Sequence, residues 1–213
     1  MYQGIIFDLD GTLWDSTAQI LPAWNRVLAR CNTCSPMTLP EFQSYMGKTI
    51  EEIAAIKLPH LPLKEGAAIF SECCKEELIE LAKSGGVLYP NLAETLGTLH
   101  QNHFLAIVSN CQNGYIQTFL EFHRLRDFFD DFLCFGQTQL PKGENIQLLM
   151  ERNNLQTAVY VGDTQGDFDA ARQAGIPFIY AAYGFGEVPD RSYRLNTICE
   201  LPKLLKELVV LSE

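Results

Sequence analysis

The chain has 213 residues, of which 47% are hydrophobic and 20% are charged. This length predicts one domain with at most a modest insertion, and the composition excludes a disordered, collagen-like or low-complexity protein. With 16 Lys and Arg against 26 Asp and Glu, the net charge is −10. Such a charge disfavours nucleic acid and anionic membranes as partners, because the mean field of the protein repels both.

Five short apolar runs alternate with amphipathic helical patterns, and continuous apolar character is typical of strands buried on both faces. The predicted strands are 4–7, 104–108, 132–135, 158–161 and 177–181. Predicted helices between and after them include 91–101, 113–121, 143–153 and 167–174. This order predicts an α/β fold with a Rossmann-like open parallel sheet.

One stretch, 16–85, interrupts this alternation. It has no strand-like run, but apolar residues such as Ile20, Trp24 and Val27 recur at helical spacing, and it ends at the flexible pair Gly85-Gly86. We interpret it as an inserted helical cap that covers the edge of the sheet. The predicted domains are therefore a catalytic core of 1–15 and 86–213 and a cap of 16–85.

The seven cysteines are odd in number and follow no disulfide framework, which indicates reduced thiols and a cytoplasmic location. Cys31 and Cys34 have zinc-like spacing, but no second pair completes a tetrahedral site, so helix packing is the favoured interpretation.

The first residues lack the pattern of a signal peptide, and no apolar run is long enough to span a membrane.

Two acidic clusters follow predicted strands. Asp8 and Asp10, in Asp8-Leu9-Asp10-Gly11-Thr12, follow strand 4–7, and Asp163 and Asp167 follow strand 158–161. The carboxyl ends of parallel strands meet at one edge of a sheet, where open α/β folds bind ligands. Paired carboxylates there need a cation or a proton to offset their repulsion. The alternatives are a polar turn for the first cluster and a helix N-cap for Asp167.

Two further polar features follow strands. Ser109 and Asn110 offer a hydroxyl and an amide that can hold anionic oxygens, and Lys142-Gly143 opens a helix and brings an ammonium group toward the acids. Taken singly, a Ser-Asn pair is usually a turn and a lysine is usually a solvated charge. After the last strand, Gly184-Phe185-Gly186 is a candidate for the rim of a pocket.

The order and spacing of these motifs resemble the haloacid dehalogenase superfamily of phosphohydrolases, along the whole chain. The resemblance extends to 16–85, which lies where that family inserts its helical cap. The first motif, Asp8-Leu9-Asp10-Gly11-Thr12, is highly specific, and Gly162-Asp163 with Asp167 is nearly so. One departure is that Gly143 follows Lys142, where many relatives have proline.

The resemblance implies a role for each of these residues. Asp8 would be the nucleophile that forms an aspartyl phosphate, and Asp10 would protonate the leaving group and then activate water. Mg²⁺ would be held by Asp8, the backbone carbonyl of Asp10 and Asp163, with Asp167 supporting the waters of the metal. The phosphoryl oxygens would be bound by Ser109, Asn110 and Lys142.

The activity implied is that of a Mg²⁺-dependent phosphatase, a monomer or weak homodimer, acting on a small phosphorylated metabolite. A phosphomutase or a pyrophosphatase would use the same residues, and a non-catalytic binding protein is a further alternative. Sugar-phosphate mutases of this cap class have a histidine just after the first motif, which 15–20 lacks. Asp10 favours phosphate esters over halides, because a halide needs no protonation.

Residues 45–49 resemble the cap loop that reaches the active site in phosphoglycolate-phosphatase-like relatives. Gly47 would permit a close approach, and Lys48 would pair with a carboxylate or a hydroxyl of the substrate. The alternative is that Lys48 faces solvent before a helix that begins at Thr49, with two glutamates in its first turn.

Overall fold

The computed structural model describes residues 2–32, 34–189 and 193–210. In these ranges there are eight strands: β1 (Gly4–Phe7), β2 (Trp14–Asp15), β3 (Val87–Leu88), β4 (Phe104–Ser109), β5 (Asp131–Cys134), β6 (Ala158–Gly162), β7 (Phe178–Ala181) and β8 (Arg194–Leu195). Six of them form a parallel sheet in the order β5-β4-β1-β6-β7-β8. The predicted α/β fold with an open parallel sheet is confirmed by this topology.

Ten α-helices lie in the same ranges: α1 (Thr17–Cys31), α2 (Leu39–Gln43), α3 (Ile50–Lys57), α4 (Leu63–Ser84), α5 (Leu92–His100), α6 (Tyr115–His123), α7 (Phe135–Thr138), α8 (Lys142–Arg152), α9 (Gln165–Ala174) and α10 (Leu201–Val210). Helices α5, α6 and α10 contribute to the apolar cluster that contains Ile5 and Phe7. Helices α8 and α9 contribute to the cluster that contains Ile6. Helices therefore cover both faces of the sheet.

Strand β1 lies at the centre of the sheet, and all four of its residues are buried. It pairs in parallel with β4 on one side and with β6 on the other, in a register that sets Phe7 opposite Ile107 and Val161. The alternation of side chains along a strand explains why Ile6 packs on one layer and Phe7 on the other. The residues that follow β1, β4 and β6 consequently emerge at one edge of the sheet.

Helices α1 to α4 all lie within the stretch predicted to form the cap, whose exact boundaries stay a prediction. Trp24 of α1 packs against Phe42 and Phe70, with ring centroids 4.9 and 5.4 Å away. At the base of this helical region, β2 and β3 pair antiparallel, with Trp14 opposite Leu88. The two chain segments that connect core and helices are thereby hydrogen-bonded to each other.

The five predicted strands all occur, with ends shifted by at most one residue, as β1, β4, β5, β6 and β7. The sequence analysis did not find β2, β3 and β8, because a two-residue strand is too short to show a periodicity. The cysteines are free thiols, and Cys73 and Cys74 are buried in the helical region. Across the described ranges, no helix is long and apolar enough to cross a membrane.

Candidate active site

Three acidic side chains converge at the carboxyl edge of the sheet. Asp8 follows β1, Asp163 follows β6, and Asp167 lies in the first turn of α9. Each is buried, and each offers a carboxylate oxygen within 4.8 Å of those of the other two. The structure thus brings both predicted acidic clusters together, as expected for the ends of adjacent parallel strands.

Lys142, the first residue of α8, lies between two of these acids. Its Nζ donates to Asp8 Oδ1 at 2.9 Å and to Asp167 Oδ1 at 2.6 Å, and its side chain is buried. Burial opposes the charge of the ammonium group, but Asp167 and Asp8 outweigh this effect and raise the pKa of Lys142 above its ordinary value. The lysine is therefore a permanent cation at the site.

One lysine does not balance three buried carboxylates. Burial, with the charge of Asp167 added, raises the pKa of Asp8 to about 7, although Lys142 opposes the rise. Burial, Asp167 and Asp8 likewise raise the pKa of Asp163. A site with this shortage of positive charge and with only oxygen donors fits a hard divalent cation, and Mg²⁺ prefers such ligands.

The surroundings of Asp163 are made by two loops. Gly11 has a φ of +80°, and a Cβ there would lie 2.2 Å from Asp163 Oδ2, so only glycine fits. The Phe185 amide donates to the same oxygen at 2.7 Å, and a Cβ on Gly184 would lie 2.3 Å from the Gly11 carbonyl. The segment 184–186, which was predicted to form the rim of a pocket, therefore contacts Asp163 through the backbone amide of Phe185.

Asp167 has two structural roles at once. Its Oδ2 accepts from the Thr164 amide at 2.9 Å, the Thr164 hydroxyl at 2.7 Å and the Asp163 amide at 3.2 Å. With the hydroxyl of Thr164 accepting from the Asp167 amide, this is the capping box of α9. The N-cap residue is Thr164, so the prediction of Asp167 as the N-cap is wrong; Asp167 is the third helical residue of the capping box, and the same carboxylate also holds Lys142.

Asp10 is not among the three clustered acids and has hydrogen-bond partners of its own. Its Oδ1 accepts from the Tyr115 hydroxyl at 2.8 Å and from the Ser16 hydroxyl at 2.9 Å. Burial raises the pKa of Asp10 to about 6, while these two donors oppose the rise. A carboxyl group that titrates near neutral pH suits proton transfer. Sequence reasoning missed both partners, because a tyrosine at a helix start and a serine before a helix have no local signature.

Ser109 and Asn110 differ in their contacts. Ser109 is the last residue of β4 and is buried at the site. Asn110 Nδ2 donates to the Gly47 carbonyl at 2.8 Å, so this amide holds the cap loop with one of its two N–H groups. Gly47 has a φ of +79°, and a Cβ there would contact Thr164 at 3.4 Å. Residues 45–49 therefore reach the core, as the resemblance implies.

Lys48 lines two cavities at the cap loop. A cavity of about 340 Å³ is lined by residues of the loop and by Thr164, Phe185 and Glu187. The other, of about 60 Å³, lies between helical region and core and is lined by residues that include Asp10, Ser109 and Glu77. We call the latter the cap cavity. A helix does begin after Thr49, which caps it, so that part of the alternative interpretation of Lys48 is also right.

A larger cavity of about 490 Å³ lies between α5 and α10, with Tyr2, Leu99 and Leu205 in its walls. None of its described lining residues carries a carboxylate. It is also separate from the acidic cluster at the carboxyl ends of β1 and β6. The chemistry of this protein is therefore assigned to the smaller cavities at the cap loop, despite their size.

Fold and site together define an α/β enzyme with a buried acidic centre at the carboxyl edge of its sheet. Residues 5–181 match the model of the haloacid dehalogenase-like hydrolase family, and the chain belongs to that family. This match covers the whole helical region and every strand of the parallel sheet except β8, with only Gly4 of β1 outside it. The predicted family is confirmed.

The relatives are named as phosphatases. Phosphoglycolate phosphatase of Nitrosospira multiformis is 29% identical over 214 residues, which cover 95% of this chain and 92% of that protein. The Vibrio cholerae enzyme of the same name is 29% identical over 197 residues, with 85% and 84% covered. A crystal structure described as a haloacid dehalogenase-like hydrolase from Bacteroides fragilis has a TM-score of 0.85 at 25% identity and covers 94% of this chain and 100% of its own. The prediction of a phosphatase is confirmed by these matches.

Proposed function

We propose that this protein is a Mg²⁺-dependent phosphatase that hydrolyses a small phosphorylated metabolite through an aspartyl phosphate at Asp8. The observation that carries the proposal is the buried Asp8 carboxylate at the end of β1, which contacts Lys142 and lies within 4.8 Å of Asp163 and Asp167. The names of the curated relatives support a small substrate with one phosphate.

In the proposed first step, an oxygen of Asp8 attacks phosphorus and the bond to the leaving oxygen breaks. Asp8, the backbone carbonyl of Asp10 and Asp163 would hold Mg²⁺, whose charge reduces the repulsion between carboxylate and phosphate. Lys142 is buried beside Asp8 and supplies a second positive charge. Ser109 lies at the adjacent strand end, where its hydroxyl would bind a phosphoryl oxygen.

Asp10 would move the proton in both steps. It protonates the leaving oxygen as the aspartyl phosphate forms and takes a proton from water as that intermediate is hydrolysed. A pKa of about 6 allows both forms of this carboxyl group near neutral pH. Tyr115 and Ser16 both donate to the same oxygen and so fix the orientation of the group.

Removal of divalent cations tests the metal requirement. We expect EDTA to abolish hydrolysis of p-nitrophenyl phosphate and added Mg²⁺ to restore it. Burial and the charges of neighbouring acids raise the pKa of Asp8 and Asp163, and a bound cation offsets both effects, so Mg²⁺ should also raise the melting temperature of the protein without substrate. Full activity in excess EDTA would show that the acidic cluster works without a metal.

Lys48→Ala tests the cap loop. Because Lys48 lines the cavities rather than the acidic cluster, we expect this change to alter relative kcat/KM among phosphorylated substrates more than the rate with p-nitrophenyl phosphate. Lys64→Ala, an exposed position in α4, is the matched control. Equal losses for all substrates in Lys48→Ala would show that Lys48 does not select among them.

A further inference from the structure

Asp10 has contacts on two sides. It lines the cap cavity together with Ser109. Tyr115 and Ser16 are not among the described residues that line this cavity, yet the hydroxyl groups of both donate to Asp10 Oδ1, at 2.8 and 2.9 Å. Both residues are buried. These two hydroxyl groups therefore act on a substrate in the cap cavity only through Asp10.

Ser16 belongs to the connection between core and helical region. It is the N-cap residue of α1. A serine at this position usually accepts from a backbone amide in the first turn of the helix, but Ser16 makes no such hydrogen bond, and its hydroxyl donates to Asp10. A Cβ on Gly86 would lie 3.0 Å from the Ser16 Cα, so the outgoing and returning connections touch here. The hydroxyl of Ser16 consequently follows any movement of the helical region relative to the core.

Tyr115 is attached to the core instead. It is the first residue of α6 and follows the loop that begins after Ser109, the last residue of β4. The Gly136 amide donates to the Cys111 carbonyl of this loop at 3.0 Å, and a Cβ on Gly136 would lie 2.2 Å from the Asn113 nitrogen. The loop therefore packs directly on the segment after β5, and this packing fixes the position of Tyr115 relative to the sheet edge.

The side chain of Tyr115 is held at both ends. Its ring packs edge-on against the ring of Trp14, with centroids 5.7 Å apart, and only 2% of the residue is exposed. Its hydroxyl oxygen lies 2.8 Å from Asp10 Oδ1 and 2.8 Å from Ser16 Oγ. Phenylalanine at this position would keep the ring contact and remove the hydroxyl, which leaves Ser16 as the hydroxyl donor to Asp10.

The position of Asp10 matters most for substrates with a basic leaving oxygen. As the bond to phosphorus breaks, an alkoxide needs the proton that Asp10 gives up, whereas a nitrophenolate is stable without it. We propose that Tyr115 is a positioning residue that holds Asp10 for this proton transfer from the core, independently of the helical region, and so determines how well the enzyme cleaves esters of basic alcohols. Tyr115 keeps its own proton throughout. This inference rests on the proposed phosphatase activity.

Three phosphate esters that each carry one aromatic ring test the role of Tyr115. The basicity of the leaving oxygen falls from benzyl phosphate through phenyl phosphate to p-nitrophenyl phosphate. With Mg²⁺ present, we expect Tyr115→Phe to lower kcat/KM about tenfold or more for benzyl phosphate but about threefold or less for p-nitrophenyl phosphate. The measurement is kcat/KM because it reports the steps up to release of the alcohol and excludes hydrolysis of the aspartyl phosphate, which all three esters share.

The pattern of losses separates positioning from a merely structural role. A tyrosine that only supports the fold would lower kcat/KM by the same factor for all three esters. Equal losses, or no loss, in a folded Tyr115→Phe protein would overturn the inference while leaving the phosphatase activity established. No hydrolysis of any of the three esters by the wild-type enzyme would overturn both proposals.

Two further variants complete the test. Tyr193→Phe is the matched control, because Tyr193 is half-buried and directly precedes β8, three strands from β1, so kcat/KM should be unchanged for all three esters. Ser16→Ala removes the other hydroxyl and leaves that of Tyr115, so its loss with benzyl phosphate should be smaller than that of Tyr115→Phe. If Tyr115→Phe does not fold, Ser16→Ala still decides, since a selective loss of about tenfold there would overturn the assignment to Tyr115.

Discussion

Replacement of Asp8 by asparagine is expected to lower kcat for p-nitrophenyl phosphate by about a thousandfold or more, the scale on which loss of a nucleophile acts. An amide cannot form the aspartyl phosphate, yet it has the same size and its oxygen can still accept from Lys142. Steady-state hydrolysis with Mg²⁺ present is the measurement. Retained activity would remove Asp8 as the nucleophile.

The same variant should be folded and no less stable than wild type. Burial and the charge of Asp167 raise the pKa of Asp8 to about 7, so a neutral amide relieves a repulsion that the wild-type carboxylate carries. A melting curve therefore separates loss of chemistry from loss of fold. Asp169→Asn, on the exposed side of α9, is the control and should leave both activity and melting temperature unchanged.

Replacement of Lys142 by methionine is expected to destabilise the protein by about 3–5 kcal/mol in EDTA, the usual effect of removing one partner from a buried ion pair. Lys142 Nζ contacts both Asp8 and Asp167, and methionine would leave these carboxylates buried without a cation. Urea unfolding with linear extrapolation is the measurement. Mg²⁺ should recover part of the loss, because it supplies positive charge to the same acids.

Lys203→Met is the control for this experiment. Lys203 is 84% exposed and pairs with Glu207 on the surface of α10, so its loss should change stability by about 0.5 kcal/mol or less. If Lys142→Met lowered the free energy of unfolding in EDTA by less than about 1 kcal/mol, Lys142 would not be the cation that stabilises the buried carboxylates of Asp8 and Asp167.

Much of the core could be predicted from the sequence because its signals are local. Continuous apolar runs identified β1, β4, β5, β6 and β7, and an acid or hydroxyl directly after such a run marked the ligand-binding edge. The use of Asn110 as a phosphate ligand stays a prediction. What its motif does not encode is the hydrogen bond from its amide to the Gly47 carbonyl of the cap loop, because Gly47 is distant in sequence.

The sequence by itself determined the class of this protein. The alternation of strands and helices along the chain, the acids Asp8 and Asp163, and Lys142 each belong to a local motif that can be identified without knowing which distant residues they contact. Only the tertiary structure decided what surrounds them. Tyr115 reaches Asp10 across 105 positions of chain, and Trp24 reaches Glu77 across 53. No periodicity encodes such pairs, because Tyr115 and Asp10 belong to separate elements of the core and Trp24 and Glu77 to separate helices of the helical region, and only the packing of those elements brings them together.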